Sequence, residues 1–151
     1  MDRAGALIEA VLDTRGGLID FARGCSDEQW VARPLGEADP RPVGVIVDHV
    51  ADAYEYLARW ISALAAGHEA EITPKVIDGL NARHAADNAS PSCAQVCAHL
   101  TASGDALTAL IASLADDQLA EGARCARLAD IAARHAVAHR EELEAALAAR
   151  A

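Results

Sequence analysis

Apolar residues recur at three- and four-residue intervals through most of the chain, and this spacing predicts helices. The first runs from Met1 to Ala22, with Ala6, Leu7, Ala10, Val11, Leu18 and Phe21 sharing a face. Gly16 and Gly17 weaken its middle, and Gly24 offers a left-handed stop. Ser26 followed three residues later by Gln29 is a capping-box signature for a short turn ending before Pro34, with Trp30 placed to plug the end of a bundle. A turn-rich linker, PLGEADPRP, leads to Pro42 and a second long helix, Val43 to Ala66, which Gly67 ends.

Two further starts pair a hydroxyl residue with a following proline, Thr73–Pro74 and Ser90–Pro91. They predict a shorter helix over 74–88 and a third long one over 91–115. The fourth is centred on LADIAARHAVAHREELEAAL, Leu128 to Leu147, after a loop around Asp116 to Arg124. No stretch alternates polar and apolar residues between turns as a strand would. The expected fold is therefore all-α, a four-helix bundle with a short extra helix between the second and third long helices.

At 151 residues the chain is long enough for one domain, 1–151, with a core of its own. That core must be filled by Ala, Leu, Val and Ile, because 52% of the residues are hydrophobic but only 3% aromatic. Thirteen basic against twenty-three acidic residues give a net charge of -10, which repels nucleic-acid phosphates and anionic lipid surfaces. No basic leader precedes an apolar run, and no segment reaches the roughly 18 apolar residues of a membrane span. A cytoplasmic protein acting on a small-molecule substrate, with neither nucleic acid nor membrane as partner, is expected. Cys25, Cys93, Cys97 and Cys125 read as reduced thiols. Cys93 and Cys97 stand four apart on a helix, a spacing compatible with metal binding, although packing is the commoner role of such residues.

The chemistry concentrates in the fourth helix. His135 and His139 are four apart, so both imidazoles share a face with Leu128, Ile131, Ala132, Leu143 and Leu147. Ring nitrogens in an apolar stripe are costly unless satisfied, and one metal ion satisfies both. Hydrogen-bond partners, or a place at the wet edge of the stripe, would do so too. A metal needs a third ligand, and His49, flanked by core-facing residues on the second helix, meets the pair if those two helices are neighbours. Three neutral imidazoles leave coordination positions open, as catalytic zinc sites do.

With the SDEQWVARP segment at Ser26 to Pro34, HVAD at His49 to Asp52 and the HxxxH at His135 to His139, in that order, nearly the whole chain resembles the DinB/YfiT-like family of metal-binding four-helix bundles. The resemblance implies that His49, His135 and His139 hold a divalent ion, zinc or nickel, at one end of the bundle. It further implies a relation to thiol-dependent transferases and to mycothiol-dependent maleylpyruvate isomerase, enzymes that use low-molecular-weight thiol cosubstrates. RPVGVIVD before His49 departs from the family's usual aromatic and hydroxyl residues, and few aromatics surround the expected pocket.

An enzyme activating such a thiol is the leading expectation. A metal-dependent hydrolase and a non-catalytic metal-binding bundle that dimerises through an Ala-rich face are the alternatives. Asp52 and Glu142, three residues after His49 and His139, suit either a supporting acceptor or a solvated helix charge. Asn81 and His84 belong to the connecting segment that the resemblance places near the mouth of the pocket. Arg134 and Arg140 suit surface ion pairs, and His68 and His99 have no evident role.

Overall fold

The computed structural model describes residues 2–151, so Met1, included in the expected first helix, lies outside it. Six α-helices follow in order: α1 (Arg3–Gly24), α2 (Asp27–Val31), α3 (Val43–Ala65), α4 (Pro74–Asp87), α5 (Cys93–Ser113) and α6 (Arg124–Arg150), with a 3₁₀ turn at Gly36–Ala38. There is no strand among the described residues.

Several of the expected ends are formed as the residues dictate. Ser26 and Gln29 make both bonds of a capping box, Thr73 caps α4 ahead of Pro74, and Gly67 adopts φ +82°, which costs a glycine little. Two ends differ. Gly24 stays inside α1, and Cys25 ends the helix in extended geometry. Likewise α5 is started by Ser92, whose side chain and Gln95 form a second capping box, so Ser90 and Pro91 fall in the approach. A reciprocal box satisfies two backbone donors, whereas Ser–Pro at the earlier position satisfies one.

α1 packs against α5 and α6, α3 packs against the same two, and α1 and α3 scarcely touch. The cross-section is thus a square in the order α1–α5–α3–α6. Long-range bonds give the directions. Cys93 approaches the carbonyl of Ala22 while Arg15 reaches Thr101 and Asp105, so α1 and α5 are antiparallel. His49 meets His135 while Cys125 donates to the carbonyl of Ile61, so α3 and α6 are antiparallel too. Asp48 meets His99 and the Ala65 carbonyl meets Gln118, making α3 and α5 parallel. Parallel neighbours joined in sequence need a return crossover, and α4 with its flanking segments supplies it.

Leu18, Ile46, Tyr54, Ile61, Leu100, Leu107, Ile111 and Leu143 are fully buried and form the middle of the core. The first eight residues of α3, Val43 to Val50, are all buried. Trp30 sits across their start, its Nε1 donating to the carbonyl of Pro91 at 2.9 Å. A Cβ on Gly44 would come 2.6 Å from the Trp30 indole. Gly44→Ala is expected to displace Trp30 and lower stability by about 1–3 kcal/mol, read from denaturant midpoints. An unchanged midpoint would show that the indole can move without cost.

No helix is long and apolar enough to cross a membrane among the described residues.

Candidate metal centre

The antiparallel contact of α3 with α6 brings His49 beside His135 and His139. The Nε2 atoms of His49 and His135 are 2.8 Å apart. Ring centroids lie 4.8 Å apart for His49–His135, 5.3 Å for His49–His139 and 4.5 Å for His135–His139, with the rings close to perpendicular. One nitrogen from each ring falls within 4.8 Å of the other two, and among the described residues this is the only such group of metal-ligating side chains. Imidazole nitrogens about 2.0–2.1 Å from a tetrahedral ion stand roughly 3.3 Å from one another, so the observed spacing brackets what one ion needs.

The electrostatics suit ligands. Burial pushes the His49 imidazole down to about 2, with the neighbouring His135, His139 and Arg41 adding to the shift. Burial also takes His135 down to about 4, helped by His139 and Arg41. His139 is lowered by burial too, against the opposing pull of Glu142. All three rings are therefore neutral at pH 7, the form whose lone pair binds metal. His49 Nδ1 is buried without a partner. Whichever nitrogen carries its proton, this ring holds one unsatisfied group away from water, at a cost of about 1–3 kcal/mol. The donor set fits a transition-metal ion better than it fits a closed hydrogen-bond network.

Glu142 faces the site through His139, its Oε1 3.4 Å from Nδ1, where it can hold the ring proton and leave Nε2 for the centre. Asp52 makes no hydrogen bond to the three rings among the described residues, and burial raises its carboxyl. Asp39 and Arg41, from the linker before α3, form a two-pronged ion pair at 2.8 and 2.7 Å. Arg41 Nη1 remains buried and unpaired.

The DinB superfamily profile matches residues 10–143. The chain belongs to the DinB superfamily. No curated protein and no solved structure gives a match. As in the four-helix architecture expected for a DinB-like chain, the three histidines stand near one end of the bundle, where α3 begins.

Beside them lies a polar chain that local residue patterns barely foreshadow. Asp48 is 4% exposed, with Oδ2 2.7 Å from His84 Nε2 and Oδ1 2.7 Å from His99 Nδ1. His99 Nε2 continues to Glu55 at 2.6 Å. The ring of His84 is 6.1 Å from that of His49. His84 is the one buried residue of α4, so its bond to Asp48 is the principal buried attachment of that helix. Asn81, one turn earlier, buries its Oδ1 without a partner. A visible signal existed for Asp48: an acid inside VGVIVDHV, where its neighbours must be core, has to find a cation or donor. His99 carried no such signal, because its partners arrive only on folding. Arg134 pairs with Asp130 on the surface of α6 at 2.9 Å, whereas Arg140, half-buried beside Gly17 of α1 with its Nε enclosed, stands 3.7 Å from Glu144. Ile131, expected on the apolar stripe, is 43% exposed. The α6 face turns away from it because Ala129, Ala132, Ala133 and Ala136 make the contact.

Proposed function

We propose that this DinB superfamily protein is a divalent-metal-dependent enzyme, a transferase or isomerase that activates a low-molecular-weight thiol, with His49, His135 and His139 as the metal ligands. The observation that carries the reading is the meeting of His49 Nε2 and His135 Nε2 at 2.8 Å, in rings that burial keeps neutral. Two bare imidazole nitrogens so close repel each other unless a proton or a cation lies between them.

When bound, the ion supplies Lewis acidity, which favours the thiolate of a small thiol at neutral pH. The residues of the chain do the rest. His49 and His135 hold their lone pairs toward a common point, and Glu142 keeps the His139 proton on Nδ1. The buried start of α3 excludes water from one wall. Arg41, fixed by Asp39 through Nε and Nη2, has Nη1 left to bind an anionic group of the substrate or thiol. Imidazole ligands suit zinc and nickel alike.

Metal content per chain, measured by mass spectrometry on untagged protein, tests the site. About one zinc or nickel ion in the wild type and none in His135→Ala is expected, followed by turnover of an electrophile that depends strictly on added thiol. Thiol-independent hydrolysis of a small ester or amide would replace the thiol reading with a hydrolase. Bound metal that raises stability or drives dimerisation, without turnover on a thiol and electrophile panel, would leave a non-catalytic metal-binding bundle.

A further inference from the structure

On the opposite side of the square, the groove between α1 and α5 holds a second cluster of soft ligands. Cys93 and Cys97 lie one turn apart at the start of α5, with Sγ atoms 3.9 Å from each other. Cys93 Sγ is also 3.5 Å from the carbonyl of Ala22, at the end of α1, which brings it beside Cys25. Cys97 is 7% exposed and Cys93 half-buried, yet an open groove of about 780 Å³ runs along them, walled by Arg23, Ala98 and Thr101.

We propose that Cys93 and Cys97, with Cys25 beside them, form a second metal site that takes a soft, thiophilic monovalent ion of the Cu(I) class.

The spacing discriminates between the possible fates of the pair. Two thiolates about 2.3 Å from one ion stand roughly 3.8–4.0 Å apart in a bent arrangement and about 4.6 Å apart in a linear one, so the observed 3.9 Å calls for at most a small side-chain rotation. A disulfide instead needs Cβ atoms about 3.5–4.5 Å apart, whereas residues four apart on a helix hold them about 5–6 Å apart. Oxidation would have to unwind the first turn of α5 and its capping box. Binding requires no backbone movement. Two S–H bonds break, two S–metal bonds form and both protons leave to solvent.

Ion type follows from what the corner lacks. The cysteines do not complete a compact group of three ligands, and no histidine or carboxylate joins them, since the trihistidine set alone meets that condition among the described residues. A four-coordinate zinc site is thus disfavoured by the ligands present, while soft two-coordinate thiolate ligation selects Cu(I). Burial raises the Cys97 thiol, with Cys93 adding to the effect and Arg23 opposing it. In the metal-free protein Cys97 therefore keeps its proton, and only an ion with high thiolate affinity displaces it. The Arg23 guanidinium then balances the negative charge of a bis-thiolate complex of a monovalent ion.

The test uses the full chain carrying His135→Ala, which silences the trihistidine site, titrated anaerobically with Cu(I) against bathocuproine disulfonate. One Cu(I) per chain is expected, with affinity falling at least about tenfold in Cys93→Ser and in Cys97→Ala. Cys93→Ser sits at the half-buried first position of α5, and unchanged circular dichroism guards against misfolding as the cause. Phenylarsine oxide gives an independent reading: one adduct per chain, consuming two thiols with release of water, and none in Cys93→Ser. Equal Cu(I) affinity in the variants, or the absence of the adduct in wild-type protein, overturns the proposal. So does formation of a Cys93–Cys97 disulfide by glutathione disulfide without loss of helix.

Discussion

His49→Leu is expected to abolish uptake of the divalent ion and, in the same protein, to raise the stability of the metal-free fold by about 1–3 kcal/mol. Opposite signs follow from what His49 does in the absence of metal. It is 2% exposed, its Nδ1 has no partner, and its Nε2 faces the nitrogen of another ring. Leucine is of similar volume, suits the buried start of α3 beside Ile46 and Val50, and removes the unpaired Nδ1, while the half-buried His135 exchanges its contact with His49 for water. With metal present the ranking reverses. An ion at a thousandfold excess over its dissociation constant stabilises the wild type by about 4 kcal/mol and the variant not at all. Denaturant midpoints of both proteins, with chelator and with zinc or nickel, measure the two signs separately. If His49→Leu destabilised the metal-free form, His49 would be a satisfied core residue, and the metal reading would lose its main support.

That pairing of cost and function bears on what the sequence discloses. The long helices were legible because their apolar periodicity, caps and glycine stops are local, and five of the six helices begin within a residue or two of the expected place. The exceptions are instructive. Whether Gly24 terminates α1 depends on whether the following chain turns left-handed, and the pull of Ser26 into its own capping box leaves Cys25 extended instead. Helix directions were not legible, since they rest on contacts between residues 50 to 90 positions apart.

The histidine pair on α6 declared itself through its four-residue spacing, and His49 through the apolar run around it. Their meeting depended on α3 and α6 being neighbours in the square, which no local pattern dictates. The supporting residues were harder still. His84 stands on a mostly polar helix, yet it is 4% exposed, drawn inward by a carboxylate 36 residues earlier. Polar residues that bury each other reciprocally leave no periodic trace, and only Asp48, enclosed by apolar neighbours on its own helix, advertised the need for a partner.

Asp48→Ala is expected to cost about 3–5 kcal/mol, the largest loss of any single polar substitution outside the metal ligands, because it takes from the buried His84 Nε2 its one partner. It should also change the shape of the stability–pH curve. In the folded protein the hydrogen bond to Asp48 leads in raising His99 to about 9, against the effect of burial and with help from Glu55. A raised imidazole contributes stability that is fully present below its unfolded value near 6.5 and disappears as pH climbs through 9. Asp48 itself would be raised by burial, but the bonds from His84 and His99 outweigh this and hold it at about 2, so its contribution is present above about 4 and fades below. The three neutral imidazoles act in the other direction on the acid side. Their lowered values mean that unfolding takes up protons below about 6.5, and stability falls there with decreasing pH. Metal-free wild type should thus be most stable near neutral pH, with a steep acid limb from three histidines and a shallower alkaline limb from one. Asp48→Ala and His99→Gln should both flatten the alkaline limb while leaving the acid limb in place, measured as denaturant midpoints between pH 5 and 9.5 in chelator. An alkaline limb that persists in both variants would show that another group releases the proton, and that the Asp48–His99 contact carries no net coupling in solution.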